Sequence, residues 1–164
     1  MRAKRPLRGK RKKEFKMADA STVKKLRERT GAGIMDAKRA LEEVGGDLDK
    51  AAAVIKEKGL VKAEKKSERE IKAGIVKTYG HNDRVGVVLR LGCETDFVAR
   101  SEPFQELAHN LAMQIVALDP KDIKELMAQP FIKDEQMTVE ELIKETIAKT
   151  GENIKLDEFY RMEL

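Results

Sequence analysis

Ile71-Lys72-Ala73-Gly74-Ile75-Val76, followed across Gly80-His81-Asn82-Asp83 by Val85-Gly86-Val87-Val88-Leu89-Arg90-Leu91-Gly92-Cys93, carries the strongest periodicity in the chain. Ile71, Ala73 and Ile75 alternate with Lys72, Gly74 and Val76; Val85, Val87, Leu89, Leu91 and Cys93 then alternate without a break. A period of two puts every second side chain on one face of a strand. Gly, Asn and Asp between the two runs supply turn chemistry. Together they predict an antiparallel hairpin with one apolar face. Cys93 shares the apolar parity and reads as a small core residue.

The residues after the hairpin have helical spacing. Ser101-Glu102-Pro103 starts a helix, because proline is tolerated in a first turn, and Phe104, Leu107, Ala108, Leu111 and Ile115 form its stripe. Asp119-Pro120 opens a short helix with Ile123 and Leu126, which Gln129-Pro130 stops. Thr138-Val139-Glu140-Glu141 is a capping box ahead of Leu142, Ile143 and Ile147, and Thr150-Gly151 closes that helix. Ile154, Leu156, Tyr160 and Met162 finish the chain at strand parity.

Three short helices precede the hairpin. Ser21 caps the first, with Val23 and Leu26 on one side, and Thr30-Gly31-Ala32-Gly33 breaks it. Asp36 sits in the first turn of the second, which carries Ala37, Leu41 and Val44 and ends at Gly45-Gly46. Asp47 caps the third, with Leu48, Ala51, Ala52 and Ile55 inward and Lys58-Gly59 as its end. The expected organisation is a basic extension at 1–17, a three-helix bundle at 18–57, a charged linker at 58–70, and a core of helices packed on a small antiparallel sheet at 71–164. The charge-rich stretch Leu60–Lys72 reads as a linker or a solvated helix. The fold class is α+β.

Of 164 residues, 38% are charged and 4% aromatic, with no Trp, which argues against aromatic stacking platforms for single-stranded nucleic acid. The net charge of +5 is unevenly spread. Residues 1–16 carry nine basic residues and one acid, so the rest of the chain is net −3. The extension reads as disordered, with Met17 a candidate natural start. One cysteine excludes an internal disulfide framework, and the longest apolar run is far below the roughly 18 residues of a membrane span.

Little in the sequence suggests an enzyme, and a binding or regulatory protein is the better class. His81 falls in a turn and His109 beside a helix stripe, neither with partners at metal-ligand spacing. Gly31-Ala32-Gly33 lacks the third glycine and preceding strand of a dinucleotide loop. Interest concentrates on Cys93-Glu94-Thr95-Asp96-Phe97-Val98-Ala99-Arg100, the connection between strand and helix. Phe97 admits two readings: a core side chain under the connection, or an exposed aromatic beside a carboxylate, offered to a partner.

Leu26-Arg27-Glu28-Arg29-Thr30-Gly31-Ala32-Gly33-Ile34-Met35-Asp36-Ala37-Lys38-Arg39-Ala40-Leu41 resembles the N-terminal signature of the bacterial elongation factor Ts family. Cys93 through Arg100 resembles its second signature, and Gly151-Glu152-Asn153-Ile154 a third. The three stand in the family's order and cover most of Ala20–Leu164. The resemblance implies a ubiquitin-associated-like first module. It also implies a cytoplasmic guanine-nucleotide exchange factor, without cofactor or metal, acting on elongation factor Tu in its GDP-bound and nucleotide-free forms. Thr95, Asp96, Phe97 and Val98 would be the motif that disturbs the magnesium and nucleotide site of the partner. Arg27, Ile34 and Met35 would contact its nucleotide domain. The core has a single hairpin-and-helix unit, as in the short form of the family, and a short Leu118–Gln129 segment; a single unit implies a homodimer. No membrane and no specific nucleic acid are implied. The alternatives are a ribosome- or RNA-associated protein using the basic extension, and a helical adaptor using the N-terminal bundle.

Overall fold

The computed structural model describes residues 19–164, so the readings placed on the basic extension and on Met17 lie outside the described residues. The chain divides into two compact units, one ending at Ile55 and the other spanning Lys56–Leu164. Among the described residues the fold is α+β, with seven helices and a small antiparallel sheet.

The first unit holds α1 (Ala20–Thr30), α2 (Ile34–Glu43) and the beginning of α3 (Leu48–Glu64). Val23, Leu26, Ala37, Ala40, Leu41 and Ala51 are its buried core. The cap of α1 is Asp19, and not Ser21 as expected. Ser21 lies within the helix and donates its hydroxyl to Asp19 Oδ2 at 2.6 Å. Gly31 ends α1 at a left-handed φ of 67°, a conformation that suits a residue without Cβ. Asp47 caps α3 as expected, its Oδ1 accepting the backbone N–H of Asp49 at 3.0 Å and of Lys50 at 3.1 Å.

In the second unit, β1 (Ala73–His81), β2 (Val85–Cys93) and β5 (Ile154–Glu163) form an antiparallel sheet in the order β1-β2-β5. The hairpin is present, with its turn further along than expected. Gly80 and His81 belong to β1, and left-handed Asn82 and Asp83 make the reversal. Helices α5 (Glu102–Leu118) and α7 (Val139–Thr150) pack with one face of the sheet. Leu89, Leu91, Cys93, Phe104, Leu107, Leu111 and Ile115 are all at most 2% exposed there.

Two further expectations are corrected in this unit. Gly59 does not end α3, which continues to Glu64 through part of the segment expected as linker. A Cβ on Gly59 would lie 3.1 Å from Ala148 Cβ of α7, so this glycine permits close helix approach, and Ala63 then enters the core at 2% exposure. The parity of the last strand also breaks. Leu91 pairs with Leu156 and Arg90 with Glu158, so Asp157 is an extra residue in a β-bulge, which turns every later side chain over. Ile154 and Leu156 face the core, whereas Tyr160 and Met162 are 67% and 79% exposed. Phe159 takes the inward place.

The capping box of α7 forms as read: Glu141 N–H donates to Thr138 Oγ1 at 3.2 Å, and Thr138 N–H to Glu141 Oε2 at 2.9 Å. The short helix after α5 is α6 (Ile123–Ala128), capped by Asp122. Periodicity gave no sign of the small hairpin of β3 (Pro130–Phe131) and β4 (Asp134–Thr138). Buried Gln114 of α5 pins it, donating to Pro130 O at 3.0 Å and accepting from Ile132 N at 3.0 Å. No helix among the described residues is long and apolar enough to cross a membrane.

Candidate functional site

The candidate site begins where β2 leaves the core. Cys93 is fully buried, and its thiol donates to Thr95 O at 3.2 Å. Burial, followed by the nearby Glu152 charge, pushes that thiol above its ordinary value, so it stays protonated and unreactive. The connection expected after it is a single helical turn, α4 (Asp96–Ala99), with Thr95 as N-cap. The helical turn separates its side chains. Val98 and Ala99 point inward at 5% and 3% exposure, while Asp96 and Phe97 point outward, with Phe97 85% exposed. Of the two readings of Phe97, the exposed aromatic beside a carboxylate is the one found. Val98, grouped with it as a site residue, is an anchor under the turn and offers no surface.

Four helical residues cannot hold themselves, because nucleation fixes many torsions for one hydrogen bond. The turn is held from outside. Glu152, between α7 and β5, accepts Thr95 N–H on Oε2 at 3.0 Å and the Thr95 hydroxyl on Oε1 at 2.7 Å. Thr95 Oγ1 accepts Val98 N–H at 3.4 Å. At the other end the Ser101 hydroxyl donates to Val98 O at 2.7 Å, and Gln105 Nε2 to Ala99 O at 2.7 Å. Behind Glu152, Asn153 is 4% exposed. Its backbone N–H donates to Glu94 Oε1 at 2.6 Å, and its side-chain amide to Ser67 O at 3.1 Å and Arg69 O at 2.8 Å. Sequence reasoning gave Glu152 and Asn153 no physical role. They lie 57 and 59 residues from the groups they bind, and a Gly-Glu-Asn turn signals only a helix end.

The other expected contact residues lie in the first unit, around the α1–α2 junction. Arg27 Nε donates to Ala32 O at 3.3 Å, and Ile34 and Met35 open α2 with 58% exposure each. The structure thus brings Arg27, Ile34 and Met35 to one junction and Thr95–Val98 to one turn, in separate units. His81 and His109 flank Tyr79, with ring centroids at 6.4 and 5.4 Å. Among the described residues, no three His, Cys, Asp or Glu side chains are placed to hold a metal ion.

Residues 94–164 match the family model for Elongation factor TS. Elongation factor Ts of Thermodesulfovibrio yellowstonii is 39% identical over 189 aligned positions, covering 88% of this chain and 95% of that protein. The chain belongs to the elongation factor Ts family. Elongation factor Ts of Thermotoga petrophila is 42% identical over 186 positions, with 87% and 94% covered. The chloroplastic elongation factor Ts of Cyanidioschyzon merolae is 42% identical over 191, with 87% and 91% covered. Family membership makes the chain a translation elongation factor. The alignment of 189 positions takes in 88% of the 164 residues, about 144, so about 45 positions of the Thermodesulfovibrio protein have no counterpart in the aligned part of this chain. The chain is thus shorter than that relative within the aligned span, and only Asp119–Asp122 join α5 to α6.

Proposed function

We propose that the chain binds elongation factor Tu, GDP-bound or nucleotide-free, and accelerates GDP release without covalent chemistry, in the cytoplasm. The observation that carries this reading is Phe97. It is a large apolar side chain, 85% exposed, next to an exposed carboxylate, on a turn fixed at both ends, in a chain of the elongation factor Ts family. Phe97 enters an apolar pocket of the GTPase, and full burial of such a side chain is worth roughly 1.5–3 kcal/mol. Asp96 disturbs the groups around magnesium, an ion that demands near-ideal octahedral geometry. Exposed Arg27, Ile34 and Met35 on the first, ubiquitin-associated-like unit contribute further contact. By linkage, a factor that weakens GDP binding is weakened equally by GDP, so incoming nucleotide displaces it.

The active species is a homodimer. The sheet face opposite the helices carries Val76, Tyr160 and Met162 at 66%, 67% and 79% exposure, with Val88 paired to Tyr160 between the outer strands. An apolar face of this kind suits a second copy.

The test is stopped-flow release of a fluorescent GDP analogue from elongation factor Tu. The wild-type chain is expected to accelerate release strongly, and Phe97→Ala to lose most of that acceleration. A folded wild-type chain that leaves the spontaneous rate unchanged refutes the reading.

A further inference from the structure

We infer that Glu152 is a positioning residue for the exchange turn: its carboxylate clamps Thr95 so that α4 presents Asp96 and Phe97 already formed before the partner arrives. The inference rests on the exchange reading above and assigns a residue outside the turn the task of ordering it. Both oxygens of Glu152 are spent on one residue, Thr95, whose backbone N–H and hydroxyl they accept at 3.0 and 2.7 Å. Orienting that hydroxyl's hydrogen toward Glu152 leaves a Thr95 Oγ1 lone pair for Val98 N–H at 3.4 Å, which is the capping bond of α4. Removing the carboxylate therefore frees the Thr95 backbone and unsettles the cap together. Glu152 is itself fixed, because its neighbour Asn153 is buried and tied to Glu94, Ser67 and Arg69.

The chemistry separates geometry from charge. In Glu152→Gln the amide oxygen can still accept Thr95 N–H, and the amide nitrogen can donate to Thr95 Oγ1, whose remaining lone pair keeps Val98 N–H. In Glu152→Ala neither contact survives. A turn formed only part of the time reduces apparent affinity by the formed fraction, while the complex, once made, contains the same turn. The clamp therefore acts on half-saturation and leaves the plateau rate alone.

The experiment titrates the full-length wild type, Glu152→Ala, Glu152→Gln and Phe97→Ala against elongation factor Tu loaded with a fluorescent GDP analogue. Amide hydrogen exchange is measured on the same proteins by NMR. Glu152→Ala is expected to raise the half-saturating concentration about tenfold with the plateau rate within about twofold, and Glu152→Gln to stay within about threefold of wild type. In Glu152→Ala the Thr95 and Val98 amides should exchange about tenfold faster while those in the middle of α5 do not change. Unaltered half-saturation and unaltered exchange at Thr95 overturn the inference. So does a glutamine variant as impaired as alanine, since charge and not geometry would then be at work. If the wild type itself releases no GDP, the exchange reading fails; the amide protection of Thr95 and Val98 still decides whether Glu152 holds the turn.

Discussion

Phe97 and Phe104 are the same residue seven positions apart, and the structure assigns them opposite energetic roles. Phe104 lies in α5 at 0% exposure, whereas Phe97 is 85% exposed. Truncating a fully buried phenylalanine to alanine costs about 3–5 kcal/mol, cavity included. Folding removes only 15% of the Phe97 residue from water, so of the roughly 1.5–3 kcal/mol for complete burial only about 0.2–0.5 kcal/mol is in use. Phe104→Ala should therefore lower the stability of the second unit about ten times more than Phe97→Ala. With a urea slope of about 1–3 kcal/mol/M, the Phe104→Ala midpoint should fall by about 1 M or more, against a few tenths of a molar for Phe97→Ala. Because the chain has two units, a global signal mixes two transitions; the loss of the Leu89 and Leu91 amide NMR signals of β2 reports the second unit alone. Equal midpoint losses in the two variants would mean that Phe97 is packed inside the protein, and the argument for it as a free contact would collapse.

Two further expectations concern titration. Asp47 is held below the ordinary carboxylate range, chiefly by the backbone N–H of Lys50, so its folded value lies under its unfolded one. Its contribution to α3 should be complete above the unfolded value of about 3.9 and fade as pH falls through the lower folded value. Circular dichroism of the wild type between pH 6 and 2 should show this loss, and Asp47→Asn, which still caps, should show a flatter profile; identical profiles count against the cap. For Cys93, burial raises the thiol, so a thiol reagent at pH 8 should label the native chain far more slowly than the urea-unfolded chain, and equal rates would mark an exposed thiolate.

Local rules made most of the framework legible. Val85 through Cys93 announced a strand because one face is buried and the other is not, and Thr138 with Glu141 announced a helix start because both capping partners lie within four residues. The α1 cap and the hairpin turn were misplaced by only two residues, at Asp19 and at Asn82-Asp83; the larger misreadings share one physical cause, a neighbour distant in sequence. Gly59 has the appearance of a stop signal, and only the approach of Ala148 explains a glycine inside a helix. Gly74 and Gly92 are paired across β1 and β2. A Cβ on Gly74 would come within 2.4 Å of Leu91 O, a constraint that alternation does not encode. The bulge at Asp157 appears only once β5 is set against β2. The same holds at the site. Exposure of Asp96 and Phe97 follows from one helical turn, but the clamp on its first residue was not legible, since Glu152 lies 57 residues from Thr95.

The division of labour at α4 follows from this energetics. Had Phe97 been ordered by packing into its own core, docking on a partner would first have to extract it, and little of its burial energy would remain for binding. The turn is ordered instead by hydrogen bonds from Glu152, Ser101 and Gln105 and by the burial of Val98 and Ala99. Nearly the whole burial of Phe97 is thereby available to the partner, about one to two decades in affinity. An exchange factor has to engage and then let go, and a preformed turn does both without refolding. One to two decades are too few to overcome a tightly held nucleotide alone. In the exchange reading the remainder falls to Asp96 at the same turn and to Arg27, Ile34 and Met35 on the first unit, so losses at the two units should combine in one measured affinity for the GTPase.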